Sequence, residues 1–442
     1  MPPLSPADAI LDHLRRQEGE MAGLLADLAR LESPSVVPAS QGPVLDRLAG
    51  ELRGLGMRVR RLRGKASGGH LFAASSRPPA GPAGRAGHGA AAGPRLPAQL
   101  LLGHCDTVWP LGMLATMPVE TRDGRLYGPG VYDMKGGLVQ ALFALRALRE
   151  LRLDPPAMPL LFVNSDEEIG SGESTRWVRL LARGVRRVFV LEPSLGPEGR
   201  LKTGRKGVGQ FVVTVRGRAA HAGLEPERGA SAVLELSHVI QRLHALADPA
   251  RGIAVNVGVV SGGLRGNVVP PDARAEVDVR VLWEDDVPAL EAAIRGLAPT
   301  LPGTRLEVTG AIDRPPLIAT PANLALWRTA AAAARRLGLP LGHGTAGGAS
   351  DGNTTSRTTA TLDGLGAVGG GAHSVDEHVE LARMPERAAL LALLLLAPLE
   401  EAAAEEEAAE ETEAAAPEPE DGARRPGAGA RSVGAGTRGS GA

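Results

Sequence analysis

Three short, nearly continuous apolar runs stand out along the chain: Leu100-Leu101-Leu102, Leu160-Leu161-Phe162-Val163 and Val188-Phe189-Val190-Leu191. Each is bounded by glycine or polar residues, as in strands buried on both faces of a largely parallel sheet. Residues 137–150 and 173–181 repeat their apolar positions at helical spacing, so they are expected to cover that sheet. After residue 207 the period changes. Phe211, Val213 and Val215 alternate with their neighbours, while Val233, Leu236, Ile240 and Leu243 share one helical face. Alternating runs at 253–260 and 273–282, a helical run at 287–297 and a strand at 305–309 follow. The order is β-α-β-β-α-β, the ferredoxin-like arrangement. The pattern predicts an α/β fold in which a central-sheet domain occupies 1–206 and 313–398. The 207–312 unit is inserted as a second domain.

Two stretches lack this patterning. Residues 75–99 are rich in Pro, Gly and Ala and read as a long flexible loop between strands. Residues 399–442 hold almost no large apolar side chain and are expected to be disordered, acidic first and then Gly/Arg-rich.

Charge sharpens the division. The chain of 442 residues has 49 Lys+Arg against 50 Asp+Glu. From Glu400 onward there are eleven acids and four arginines, a net −7, which leaves +6 on the preceding 399 residues. An overall charge of −1 gives no sign of nucleic-acid binding, and scarce aromatics (5 Phe, 4 Trp, 2 Tyr) argue against stacking platforms for single strands. The single cysteine, Cys105, excludes an internal disulfide framework. The longest apolar run, from Ala388 to Leu399, is 12 residues, short of the roughly 20 that a membrane helix needs. The opening Met1-Pro-Pro-Leu-Ser lacks the basic and apolar regions of a secretory signal, so a cytoplasmic location is expected.

Candidate chemistry follows the apolar runs directly. Gly103-His104-Cys105-Asp106-Thr107, Asn164-Ser165-Asp166-Glu167-Glu168 and Glu192-Pro193-Ser194 each come just after a predicted strand. Asp133 precedes a predicted helix in a Gly-rich segment, and Gly371-Ala372-His373-Ser374 adds a second histidine. Ligands of open α/β sheets bind beyond the carboxyl ends of the strands. His104, Asp133, Glu167, Glu168 and Glu192 could therefore converge. Crowded carboxylates repel without a cation, and mixed His/carboxylate sets suit zinc or a similar ion. Taken singly, a His-x-Asp or a Glu-Glu pair is ordinary surface chemistry. These segments leave a metal site and a solvated cluster both open.

In their order and spacing these segments resemble the M20 family of metallopeptidases and deacylases. The carrying residues are Gly103-His104-Cys105-Asp106-Thr107-Val108, Gly128-x-Gly-x-x-Asp133-Met134-Lys135-Gly136-Gly137, Asp166-Glu167-Glu168-x-Gly170-Ser171 and Glu192-Pro193-Ser194. The inserted unit resembles that family's lid and dimerisation domain, through Gly217-x-Ala219-x-His221-Ala222-Gly223, Gly262-Gly263-x-x-x-Asn267-Val268-Val269-Pro270 and Asp278-x-Arg280. The glutamate carboxypeptidase branch is the most similar, through Leu191-Glu192-Pro193-Ser194 and Arg314-Pro315-Pro316.

The resemblance implies two divalent metal ions, zinc first, with cobalt and manganese also suited. Asp133 would bridge them, with His104 and Glu192 on one ion and Glu168 and His373 on the other. Asp106 would fix the His104 tautomer, and Glu167 would be the general base. A cis peptide is expected after Asp133. His221, aided by Asn267, would stabilise the oxyanion in the partner subunit of a homodimer. Arg280 and Arg314 would hold the carboxylate of a small-molecule or peptide substrate. The implied reaction is amide cleavage beside a carboxylate, most simply release of a C-terminal glutamate or similar residue. The alternatives are an N-acyl-amino-acid deacylase of the acetylornithine or succinyl-diaminopimelate type and a non-catalytic metal-binding protein on the same scaffold. No membrane partner is implied. Gly348-Ala349-Ser350-Asp351-Gly352 matches a serine-hydrolase elbow but lacks a preceding strand pattern, and Gly366-x-Gly-x-x-Gly371 lacks the helix of a dinucleotide site.

Overall fold

The structure is a computed structural model that describes residues 5–75 and 97–399. The acidic tail lies outside the described residues except for Leu399. So does the 75–99 loop, except for its ends. There, Ser75 donates its N–H to the Pro159 carbonyl, and a strand already begins at residue 98.

Six strands form the central sheet, in the order Arg58–Leu62, His70–Ala74, Met158–Asn164, Ala98–His104, Val188–Val190 and Thr361–Leu362. The last four pair in parallel. The first two pair antiparallel with their neighbours. The sheet is thus mixed rather than largely parallel. The apolar runs read from the sequence are its parallel part, buried along nearly their whole length. The edge strand Arg58–Leu62 is mostly arginine and carries no such signal.

One face of the sheet is covered by helices Pro6–Arg15, Glu18–Arg30, Gly42–Gly54, Gly136–Glu150, Pro321–Arg336 and Met384–Leu396, which share one large apolar core. Met384–Leu396 absorbs most of the 12-residue apolar run. It is buried on nearly every side, which is why its sequence is apolar all round. No helix among the described residues is long and apolar enough to cross a membrane. The other face is covered by the short helix Thr175–Ala182, whose Val178, Trp177 and Leu181 pack on Leu100, Phe162 and Val190.

The second unit has strands Gly207–Arg216, Ala254–Gly262, Asp272–Val281 and Arg305–Arg314, with helices Ala232–His244 and Val287–Arg295 between them. Its sheet is antiparallel, with Gly207–Arg216 and Asp272–Val281 in the centre. Alternate residues of the central strands face the two helices and form a core of their own. The last strand runs to Arg314, beyond the boundary at 312 and the strand end at Thr309 read from the sequence. That extension carries Arg314 into the first domain's polar edge.

Helix Gly136–Glu150 lies so close to the strand edge that a Cβ on Gly137 would sit 2.0 Å from the Leu191 carbonyl oxygen. Glycine is required there by contact, and this contact draws the segment holding Asp133 towards the one holding Glu192. Gly137→Ala is expected to destabilise the chain by about 1–3 kcal/mol through overpacking, read as a lower urea midpoint by circular dichroism.

Candidate active site

The parallel strands end together, so their following residues meet at one edge of the sheet. His104 is the last residue of Ala98–His104. Glu167 and Glu168 open the turn after Met158–Asn164, and Glu192 follows Val188–Val190. Asp133 stands before helix Gly136–Glu150, and the Asp133–Met134 peptide is cis. His373 sits in a tight turn with a positive φ of 60°.

The structure brings these side chains together. His104 Nε2 lies 3.4 Å from Asp133 Oδ1 and 3.5 Å from Glu192 Oε1. His373 Nε2 lies 3.5 Å from Asp133 Oδ2 and 3.3 Å from Glu168 Oε2. Asp133 thus faces both histidines, one with each oxygen. His104, Asp133 and Glu168 each offer a ligand atom within 4.8 Å of the others, as do His104, Glu167 and Glu192. His104 Nε2 and Asp133 Oδ1 are buried without a hydrogen-bond partner among the described residues. Buried polar atoms are rarely left so, and here they suit a shared cation.

The electrostatics carry the same demand. Hydrogen bonds to Asp133 and Glu168 hold the His373 imidazolium up to a pKa of about 10. Burial works to lower the His104 value, yet Asp106, Asp133 and Glu192 keep it well above the usual range. Without a metal, the histidines supply the positive charge that the carboxylates need. Burial pushes Glu167 up to about 8, against the opposing pull of Arg314.

Further residues hold these groups in place. Asp106 stands at the far nitrogen of His104. His104 Nδ1 bonds the Asp106 main-chain carbonyl at 3.0 Å, while the carboxylate stands off at 3.5 Å. The Asp106 carboxylate also accepts the N–H groups of Glu167 and Glu168 and the hydroxyl of Ser35, so it organises the turn that presents both glutamates. Arg314 is engaged with groups of the cluster. It bonds Glu167 Oε1 at 2.6 Å, the Glu167 carbonyl and the Ser171 hydroxyl, with Asp351 3.6 Å away.

Two supports escaped the reading of the sequence. Glu377, 1% exposed, accepts the N–H groups of Gly130, Tyr132 and Asp133 and the Trp109 indole, and so fixes the loop that presents Asp133. Arg205 is buried, pairs with Asp363 through two nitrogens and donates to Glu192 Oε2 at 2.9 Å. Neither lies in a pattern that distinguishes it from a surface charge. Only their burial identifies them.

The other candidates lie in the second unit. His221 is exposed, and its Nδ1 accepts the N–H groups of Gly223 and Leu224. Asn267 is exposed too, and its carbonyl accepts the Ala222 N–H. Arg280 is committed to a two-point pair with Asp278 on its own strand. None of these contacts reaches the carboxylate cluster. The serine-elbow pattern dissolves: Ser350 caps helix Asp351–Thr355 and donates its hydroxyl to Asp363, with no histidine among its partners. Cys105 is buried, and burial pushes its thiol up to about 12, so it is no nucleophile.

Residues 100–397 match the model of "Peptidase family M20/M25/M40". The chain belongs to this family. It is 30% identical over 302 residues to Carboxypeptidase G2 of Pseudomonas sp. (strain RS-16), covering 67% of this chain and 73% of that one. It is 29% identical over 376 residues to a succinyl-diaminopimelate desuccinylase of Paracidovorax citrulli (strain AAC00-1), covering 80% and 91%. Its fold is like that of a dinuclear metal-binding peptidase of the M20 family from Bacillus subtilis, with a TM-score of 0.60 at 14% identity over 86% of this chain and 98% of that chain. The chain is therefore a hydrolytic enzyme on the M20 scaffold, an α/β fold with a mixed sheet.

Two expectations follow. Glu377→Gln replaces an acceptor with an amide N–H aimed at N–H donors. Zinc affinity of the metal-free chain should fall about 10–100-fold, measured by chelator competition. Bound metal must also displace the protons on His104 and His373. Because both values are raised, zinc affinity should rise from pH 6 towards about 9, with proton release seen as buffer-dependent heat in calorimetry.

Proposed function

We propose that the chain is a di-metal carboxypeptidase that releases a C-terminal glutamate or similar amino acid. The carrying observation is the convergence of His104, Asp133, Glu168, Glu192 and His373 around Glu167, in a chain similar to Carboxypeptidase G2. In this reading His104, Asp133 and Glu192 would hold one ion, and Asp133, Glu168 and His373 the other. When bound, the ions supply Lewis acidity that activates water and polarises the scissile carbonyl. Zinc is the first choice, with cobalt and manganese suited to the same donors.

Glu167 then acts as the general base. It takes a proton from the attacking water and returns it to the leaving nitrogen. Its carboxylate is held by Arg314 Nη1 through Oε1, which fixes its direction. Asp106 acts as the positioning group for Glu167 and Glu168. Arg314 and Arg280 are assigned to the substrate carboxylate, a planar partner for a guanidinium. For Arg280 this requires leaving Asp278, and for Arg314 it requires sharing with Glu167. The inserted unit is read as a ferredoxin-like lid through which two copies pair, bringing His221 and Asn267 to the partner's site as oxyanion donors. A cytoplasmic enzyme with a small-molecule or peptide substrate fits this reading.

A second reading is N-acyl-amino-acid deacylation, supported by the desuccinylase likeness over 80% of the chain. Both reactions cleave an amide beside a carboxylate and use the same base. A panel of N-acyl-glutamates, aroyl-glutamates, N-acetylornithine, N-succinyl-diaminopimelate and dipeptides separates them. Two metals per chain and glutamate release are expected, with Glu167→Ala lowering kcat by about 10²–10⁴-fold while metal content is kept. Turnover of acetylornithine or succinyl-diaminopimelate alone would shift the function to deacylation. Metal binding without turnover of any member would remove the proposed substrate class.

A further inference from the structure

The central sheet has one strongly basic flank. Helix Thr175–Ala182 buries Val178 and Ala182 and turns Arg176, Arg179 and the capping Arg183 to solvent at spacings of three and four residues. Arg186 is exposed just beyond it. On the adjoining edge strand Leu62 packs in the same apolar cluster as Trp177 and Leu181, so alternation puts exposed Arg60 on that side. Lys65 follows, also exposed. None of these six cations forms an ion pair with an acid among the described residues, unlike Arg61 on the opposite side of the same strand, which pairs with Asp46. The nearby acids are engaged. Glu173 accepts the N–H groups of Lys65, Ala66 and Ser67, and Asp166 is buried and accepts those of Glu173 and Ser174. Leu180 lies 60% exposed among the arginines.

The chain's own acids leave the described residues at the strand end that Arg186 marks, on the sheet face opposite helix Thr175–Ala182. Arg187, next in sequence to Arg186, holds the carbonyls of Ala397 and Pro398. Two residues later the sequence enters 400–421, which has eleven acids and no Lys or Arg. These 22 residues span up to about 70 Å extended, whereas the eight-residue helix is about 12 Å long. Reach is therefore ample, and the tether keeps the local concentration of acids high.

We propose that residues 400–421 dock on the basic flank of helix Thr175–Ala182 and strand Arg58–Leu62 as an intramolecular polyanion. Exposed ion pairs are individually weak, but here many acids meet a fixed row of cations that have no other acidic partner. The docking is electrostatic and is released by salt, because added ions screen exposed charges.

The test uses the full-length protein and a Glu-specific endoproteinase, with cleavage within 400–421 followed by intact mass. A free peptide of residues 400–421 corrects for the salt response of the protease. At low salt the tail should be cut about fivefold or more slowly than at about 0.5 M salt, after that correction. The triple variant Arg176→Glu, Arg179→Glu, Arg183→Glu should be cut fast at both. Its folding is checked by thermal unfolding, and Arg60→Glu with Arg186→Glu gives an independent pair should the triple variant unfold. Equal low-salt rates for wild type and a folded variant would overturn the proposal. So would tight low-salt binding of a duplex oligonucleotide by the full-length chain with the tail still freely cut, since the flank would then serve an external polyanion.

Discussion

Mutual repulsion of carboxylates is the constraint around which the rest of this structure is arranged. Asp133, Glu167, Glu168 and Glu192 crowd one edge of a sheet, largely removed from water. Like charges at such distances cannot all persist unless each is offset. Arg205 offsets Glu192, and Arg314 offsets Glu167. Asp106 and Glu377, which stand behind them, are met by main-chain N–H groups. Asp133 and Glu168 are met, among the described residues, by the two histidines. The uncompensated charge is thus concentrated where a pair of divalent ions would sit.

The fold produces this crowding by simple means. Parallel pairing aligns the ends of three strands, so His104, the Glu167–Glu168 turn and Glu192 emerge side by side. The absence of a side chain at Gly137 lets helix Gly136–Glu150 approach Leu191 and brings Asp133 in from the opposite direction. His373 and Glu377 come from one turn and serve different ends, one facing the cluster and the other fixing the Asp133 loop. A buried charge removed from this set leaves its partner uncompensated, so the supporting residues are as constrained as those they support.

The second unit stands apart in composition and in core. Its helices and sheet bury their own apolar face, and its link to the cluster is the strand that ends at Arg314. Together with the entry at Arg205–Gly207 and the Arg357–Glu284 pair, this strand ties the unit's position to the first domain and to the Glu167 carboxylate. The flank of helix Thr175–Ala182 is a different kind of surface, polar and cationic, on the sheet face that also carries the short helix Asp351–Thr355.

Much of this was legible in the residues themselves. Buried strands must be apolar on both faces, so the runs at Leu100, Leu160 and Val188 declared the parallel core, and the alternation after Phe211 declared the second unit. The side chains gathered at the sheet edge were legible for a related reason: strand ends lie where local sequence turns from apolar to polar. Local sequence does not encode which distant charge will be buried beside which. Glu377 and Arg205 look like surface residues in the sequence and become internal supports only when the chain closes. The Asp106 carboxylate, beside the histidine two positions before it, also meets N–H groups of the Glu167–Glu168 turn, 61 and 62 positions away. Arg314 meets Glu167 because its strand runs past the point where the alternating pattern fades. Periodicity is a local consequence of burial and can be read along the chain. Pairing of charges depends on the distances that only tertiary packing sets.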